Sequence, residues 1–328
     1  MQYVDFGSAG VKVSRIALGL GFRGQTSADE AQRLIEHAID SGINLIDCAN
    51  SYTLGAGSMP DAPRSEEVLS RVLKTRRDEV VITTKVAGGI GPGPNDQGLS
   101  RYHIMREVER SLRRLGTDHI DVYLLHHFDP ETPLEETLRA LDDLVAQGKV
   151  LYVGCCNFAA WQAVQALWTQ DRTTADSFIC VQNQYSLLYR TLEDEMFGLV
   201  RDRGLGVMAF GPLAIGLLSG SYTAGAAPPP ASVWAAMERD AFEAATSGYA
   251  AVVLDTVRAI ARERGKTMPQ VALNWVLSHP EITVAISGSD TIEQLDDNLG
   301  AVGWELSEVE VARLTEVSSG GHVDLMGV

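Results

Sequence analysis

Short apolar runs alternate with longer amphipathic runs along nearly the whole chain, and this alternation limits the fold more than any other feature. Strand-like runs fall at residues 15–19, 44–49, 80–86, 120–126, 150–157, 178–185, 205–210 and 283–287. Helical periodicity fills the intervals, as at 28–40, 102–115, 134–147 and 193–203, and Gly or polar residues follow each helix. Parallel strands need a long crossover, usually a helix, so repeated units of this kind predict a parallel sheet covered by helices. Eight strand candidates predict an α/β fold of the closed (β/α)8 TIM-barrel type, with a doubly wound open sheet as the alternative.

Before the first unit, residues 3–6 and 11–13 flank Gly7-Ser8-Ala9-Gly10 and read as a β-hairpin capping the barrel bottom. Two helical runs, 250–264 and 269–278, stand between the seventh and eighth strands, so one is an addition; 307–317 reads as a further helix. Barrels of this size run as one domain, so the chain is read as a single catalytic barrel over 1–328. Two long segments rich in Gly, Pro and Ser, 53–64 and 215–247, read as loops over the C-terminal face, where barrel substrates bind.

A net charge of -16 argues against nucleic acid and anionic membrane surfaces as partners, since both are polyanions. Residues 1–10 show no basic or apolar run of a secretory signal, and the most apolar stretch, 204–220, is broken by glycines and Pro212. Cys48, Cys155, Cys156 and Cys180 form no C-x-x-C pair and sit in strand-like runs. They are read as buried free thiols with no metal, in keeping with a cytoplasmic location.

Gly19-Leu20-Gly21-Phe22-Arg23-Gly24 matches the G-x-G-x-x-G dinucleotide fingerprint, and the second strand ends in Asp47. That fingerprint requires its last glycine inside the opening helix. Here Ser27-x-x-Glu30 reads as a capping box and places the helix start after the glycines, so the Rossmann reading is rejected.

Four polar residues stand where strands end: Asp47 after the second, Tyr52 in the loop beyond it, Lys85 after the third and His126 after the fourth. Singly, each reads as an ordinary rim residue, and His127 competes with His126. A barrel, however, gathers the C-terminal ends of its strands over one small area. A phenol is a weak acid that keeps its proton at neutral pH, and a nearby ammonium lowers its pKa by stabilising the phenolate. Asp47 is expected to hold Lys85 charged, and His126 to donate a hydrogen bond to a carbonyl oxygen. The set describes general acid catalysis on a carbonyl, for which side chains supply no hydride; a nicotinamide does.

The chain resembles the aldo-keto reductase family along nearly its whole length. The resemblance rests on Asn44-Leu45-Ile46-Asp47-Cys48-Ala49 with Tyr52, Thr84-Lys85, Asp121-Val122-Tyr123-Leu124-Leu125-His126, Val153-Gly154-Cys155-Cys156-Asn157-Phe158, Val181-Gln182-Asn183-Gln184-Tyr185-Ser186, Gly211-Pro212-Leu213 and 294–298. It implies that Asp47, Tyr52, Lys85 and His126 are the catalytic tetrad. It implies that Asn157 and Gln182 bond the nicotinamide carboxamide, and that Phe210, Gly211, Pro212 and Leu213, with Gly216 and Leu217, pass under the nicotinamide and along the pyrophosphate. It implies that Ser287, Gly288, Ser289, Asp290, Gln294, Asp297 and Asn298 hold the adenosine end.

The chain departs from the family pattern at four places. Cys156 stands where serine is usual, Phe210 where tyrosine is common, and Leu20 and Gly21 replace a polar-aromatic pair beside the cofactor. Residues 286–291 offer no cation for a 2′-phosphate, and Asp290 stands where an Arg is sought. NAD(H) is therefore expected over NADP(H), unless a distant residue such as Arg190 supplies the charge.

The expected function is NAD(P)-dependent reduction of a small-molecule carbonyl, with two alternatives: a sugar or polyol dehydrogenase working oxidatively, and a cofactor-sensing regulatory subunit. The expected state is a monomer or small homo-oligomer. Phe22, His127 and Phe128 are expected to line the substrate pocket, with Trp234 as the tryptophan best placed to join them. Trp161, Trp168 and Trp275 are expected on helical core faces.

Overall fold

The computed structural model describes residues 1–323 apart from 23, 58–60, 174, 223–224, 230–231 and 237–238. An antiparallel hairpin of β1 (Tyr3–Asp5) and β2 (Lys12–Ser14) comes first. Strand and helix then alternate through β3 (Ile16–Gly19), α1 (Ala28–Asp40), β4 (Leu45–Asp47), α2 (Ser65–Arg76), β5 (Val81–Val86), α3 (Arg101–Leu115), β6 (Ile120–Leu125) and α4 (Leu134–Ala146). The pattern continues with β7 (Val150–Cys156), α5 (Ala160–Thr173), β8 (Phe178–Gln184), α6 (Met196–Arg203) and β9 (Gly206–Phe210). α7 (Arg239–Thr246), α8 (Gly248–Arg264) and α9 (Met268–Leu277) precede β10 (Ile282–Ser287), and α10 (Ile292–Leu299) and α11 (Glu308–Val317) follow it.

Strands β3 to β10 pair in parallel in chain order, and β10 closes on β3, so the sheet is a closed barrel rather than an open doubly wound sheet. The period of two along each strand divides the core. Ala17, Leu45, Val81, Val122, Leu124, Cys180, Met208 and Val284 fill the barrel interior. Leu18, Ile46, Ile82, Tyr123, Leu125 and Val181 face the helices. The hairpin closes the N-terminal end by placing Phe6, fully buried, in the interior cluster. Gly7 allows that approach: its φ is +60°, and a Cβ there would lie 2.1 Å from the Ile179 carbonyl oxygen.

Three expectations are corrected. The segment 215–247 is not irregular, since it carries α7 and short 3₁₀ turns at Leu217–Ser219 and Val233–Ala236. The helical run at 193–203 begins as a 3₁₀ turn, Thr191–Glu193, and becomes α6 only at Met196. Trp161 and Trp168 are not core residues: they are 59% and 60% exposed, while Ala163, Ala166 and Leu167 form the buried face of α5. Trp275 is fully buried as expected, and all four cysteines are buried and free. Ser27 caps α1 by accepting from the Glu30 amide, but its own amide donates to Gln25 Oε1, so the reciprocal half of the box comes from Gln25. Among the described residues no helix is long and apolar enough to cross a membrane.

Candidate active site

Alternation along β5 sends Thr83 and Lys85 to the same side as Val81, into the barrel, and along β4 sends Asp47 inward beside Leu45. At the top of the interior, Lys85 Nζ donates to Asp47 Oδ2 at 2.7 Å and to the Cys48 carbonyl oxygen at 2.8 Å. Asp47 Oδ1 accepts from Thr83 Oγ1 at 2.6 Å and from Gln182 Nε2 at 2.8 Å. The ion pair is fully buried, with Lys85 at 0% exposure, and such a pair is tolerated only when its remaining bonding capacity is met. Burial works against the Lys85 charge, but Asp47, with Tyr52 and Cys156, outweighs it and holds the ammonium above the ordinary lysine value.

Lys85 Nζ lies 4.8 Å from the centre of the Tyr52 ring, and the Tyr52 hydroxyl lies 3.3 Å from His126 Nε2. Phenol, ammonium, carboxylate and imidazole thus meet at one mouth. Burial raises the Tyr52 pKa more than Lys85 lowers it. The expectation of a lowered tyrosine pKa is therefore corrected: desolvation of the phenolate is the larger effect. Burial, then Lys85 and His127, push His126 down to about 3, so its imidazole is neutral at physiological pH. Cys156 is buried in the interior cluster, and burial pushes its thiol up, so it stays protonated.

The turn that carries Tyr52 is clamped from two helices. At the start of α2, the Ser65 amide donates to the Tyr52 carbonyl at 2.9 Å, and Ser65 Oγ donates to the Ala49 carbonyl. The Arg64 guanidinium donates to the Asn50 carbonyl. From α3, Glu107, fully buried, accepts from Asn50 Nδ2 at 3.2 Å. Thr83, Asn50, Ser65 and Glu107 were not singled out in the sequence. Thr83 was findable, because it shares the strand face of Lys85; Asn50 and Glu107 meet only through the tertiary fold.

Around this mouth lies a set of groups suited to a dinucleotide. Asn157, at φ +57°, donates through Nδ2 to the His126 carbonyl at 3.0 Å, which leaves its Oδ1 as the free end of the amide. Gln182 spends Nε2 on Asp47 and likewise leaves an oxygen. After β9, Gly211, Ala214, Ile215 and Gly216 all have positive φ. A β-branched residue such as Ile215 adopts that conformation only under strain, which marks functional sites, and successive amides in such turns form anion-binding concavities. After β10, Asn298 Nδ2 donates to Ser287 Oγ and Ser289 Oγ at 3.0 and 3.1 Å, a buried polar set beside exposed Gly288. Leu20 is buried with its amide on the Asp47 carbonyl, and a Cβ on Gly21 would meet nothing within 4 Å. Phe210 is half-buried at the end of β9, Pro212 and Leu217 are buried, and Leu213 is half-buried.

The remaining predicted site residues have contacts of their own. Asp290 Oδ1 accepts from the amides of Gly24 and Gln25 at 3.0 and 3.1 Å, fastening the β10–α10 turn to the β3–α1 loop. Gln294 accepts from the Asp290 amide. Asp297 accepts from Thr267 Oγ1 and Gln270 Nε2 and so braces α9. Of the expected pocket residues, Phe22 is buried at φ +45° and His127 is exposed, its ring stacked on His126. Phe128 packs on Phe158 and Trp161, towards α5. Trp234 is 3% exposed, donates to the Ile215 carbonyl and packs on Phe242, so it holds the long β9–α8 segment together.

Residues 15–319 match the Aldo/keto reductase family. The chain is 37% identical to the "Uncharacterized oxidoreductase YrpG" of Bacillus subtilis (strain 168), over 98% of this chain and 97% of that protein. It is 33% identical to a "Probable voltage-gated potassium channel subunit beta" of Arabidopsis thaliana, and 34% identical to one of Oryza sativa subsp. japonica. Each of these two matches covers 92% of this chain and 91% of the relative.

Proposed function

Since this chain belongs to the aldo/keto reductase family and is an oxidoreductase, we propose that it interconverts a carbonyl and an alcohol with a nicotinamide dinucleotide, Tyr52 giving or taking the proton. The observation that carries this reading is the joint position of the Tyr52 hydroxyl, 3.3 Å from His126 Nε2, and the Lys85 ammonium, 4.8 Å from the same ring.

The bound dinucleotide supplies the hydride. Asn157 and Gln182 would hold its carboxamide, Phe210 to Leu213 with Gly216 and Leu217 would run beneath its ring and phosphates, and Ser287, Gly288, Ser289 and Asn298 would hold the adenosine end. Tyr52 keeps its proton at neutral pH because burial raises its pKa, so it is ready to donate to a carbonyl oxygen. His126 is neutral, and in the tautomer that carries its proton on Nε2 it donates a hydrogen bond to the same oxygen. Lys85 stays cationic beside Asp47 and stabilises the phenolate that remains when Tyr52 has given its proton up. In the oxidative direction the same groups run in reverse.

Tyr52→Phe tests the assignment. Turnover should fall by about 10²–10⁴-fold while dinucleotide binding, followed by protein fluorescence, is retained. Nearly intact turnover in that variant sinks the role given to Tyr52.

The dinucleotide is NAD(H) in preference to NADP(H). No Lys or Arg stands between Ile286 and Thr291, and the Asp290 carboxylate lies at that turn. Arg190, the distant cation weighed above, is engaged with Glu193, the Thr315 carbonyl and Ser318. A 2′-phosphate would meet negative charge there. kcat/KM should be higher with NADH than with NADPH, and the reverse order refutes the preference.

Two further readings share this site. The substrate is an aldehyde or ketone reduced in the cell, or a sugar or polyol oxidised by NAD⁺; assays with aromatic aldehydes and with sugars separate them. The relatives named as potassium channel β subunits support a regulatory reading, in which the dinucleotide binds tightly and turns over slowly. Steady-state turnover against these substrates decides between catalyst and sensor.

A further inference from the structure

Helix α5 is apolar on two opposite sides. Ala163, Ala166 and Leu167 pack on the barrel. Trp161, Val164 and Trp168 face the other way and are 59%, 48% and 60% exposed. At 100° per residue these three and Arg172 fall within about 80° of arc, opposite the buried face. The stripe is not loose. The Trp161 ring lies 5.9 Å from Phe128, which lies 5.4 Å from Phe158, a fully sequestered core residue.

The neighbouring helices present charge to solvent: Glu135, Glu136, Arg139, Asp142 and Asp143 on α4, and Arg201, Asp202 and Arg203 on α6. α5 has no charged residue before Asp171. Clustered apolar side chains on the solvent side of a helix mark an interaction face, and tryptophan is among the residue types enriched where proteins bind one another.

We propose that this face joins two copies of the chain in an isologous, two-fold contact centred on Val164. Three observations select a second copy as the occupant. The stripe reads nearly the same in both directions, Trp161 and Trp168 flanking Val164, so antiparallel packing sets each Trp161 against Trp168 of the second copy. The chain carries a net charge of -16, so two copies repel wherever their acidic surfaces meet, and an uncharged face is where they approach without that repulsion. Arg172 stacks over Trp168 at 5.1 Å with no carboxylate partner among the described residues. In the antiparallel arrangement it extends past Trp161 of the second copy, towards the loop after β6 that holds exposed Glu131. The inference is independent of the catalytic reading.

Sedimentation velocity on the full chain at micromolar concentration tests it. The expected result is a dimer that Trp161→Glu with Trp168→Glu weakens about a hundredfold or more, both positions being hot-spot candidates. Both side chains are exposed, so far-UV circular dichroism and dinucleotide binding should be unchanged in that variant. Val164→Cys gives a second reading. Mild oxidation should link two copies through that residue, since the native cysteines are buried. A wild-type monomer, an oligomer that survives the double substitution, or a Val164→Cys protein that does not cross-link each overturns the proposal.

Discussion

At the scale of single residues, desolvation and charge compete inside the barrel mouth, and desolvation decides two of the protonation states. Tyr52 sits beside an ammonium and still has a raised pKa, because taking a phenolate out of water costs more than Lys85 returns. His126 is pushed down to about 3 by burial and by Lys85. The sign of the stability effect follows from the lower folded value. A group whose folded pKa lies below its unfolded value stabilises the protein above the unfolded pKa, and loses that contribution as pH falls towards the folded one. Between about pH 6.5 and about pH 3, protonation of the unfolded chain at this histidine favours unfolding. His126→Asn should therefore lose less stability than wild type as urea denaturation is carried from pH 7 to pH 4. Parallel losses in the two proteins would mean that His126 is not held neutral by its surroundings.

At the scale of elements, the β4–α2 turn carries Tyr52, the proposed proton donor, and is fixed from outside the barrel. Ser65 and Arg64 at the start of α2 bond its carbonyls, and Glu107 of α3 bonds the Asn50 amide. Catalysis of this kind depends on placing the hydroxyl correctly, and small misplacements far from the chemistry cost up to about a hundredfold. Asn50→Ala removes the only described partner that Glu107 has in this turn and leaves a buried carboxylate short of one donor. Its kcat should fall about tenfold to a hundredfold with little change in dinucleotide affinity, and Asn50→Asp should not rescue it, since a carboxylate would face Glu107. Unchanged kcat in Asn50→Ala would show that the α2 contacts alone hold Tyr52. The β10–α10 turn and the β3–α1 loop are similarly fastened, through Asp290 and the amides of Gly24 and Gln25. That clasp is why Asp290, although well placed in the sequence to read a ribose, has its carboxylate engaged by backbone.

At the scale of the whole molecule, the proposed chemistry lies at one end of the barrel and the closing hairpin at the other. The polar cluster of Asp47, Thr83, Lys85 and Gln182 replaces the top layer of an otherwise apolar interior, and the hairpin supplies Phe6 to close the bottom. Phe6→Ala should cost about 3–5 kcal/mol, as large-to-small changes of buried aromatics do. Chemical denaturation would register it, while the distance from the mouth leaves KM for the dinucleotide unchanged. A loss well under 1 kcal/mol would mean that the interior closes without the hairpin.

The chain's own order of residues was enough for the architecture and for the meeting of Asp47, Tyr52, Lys85 and His126 at one mouth, and the reason lies in periodicity. A period of two makes strands and assigns Thr83 and Lys85 to one face, a period near 3.6 makes the intervening helices, and parallel strands in a barrel must bring Asp47, Lys85 and His126 to the same rim. Local pattern could not reach what depends on neighbours from distant segments. The two apolar sides of α5 are indistinguishable in sequence, so Trp161 and Trp168 passed for core until packing placed Ala163, Ala166 and Leu167 inward. The bond between Asn50 and Glu107, the engagement of Asp290 by a loop 265 residues away, and the raised pKa of Tyr52 are likewise set by three-dimensional proximity and by exclusion of water.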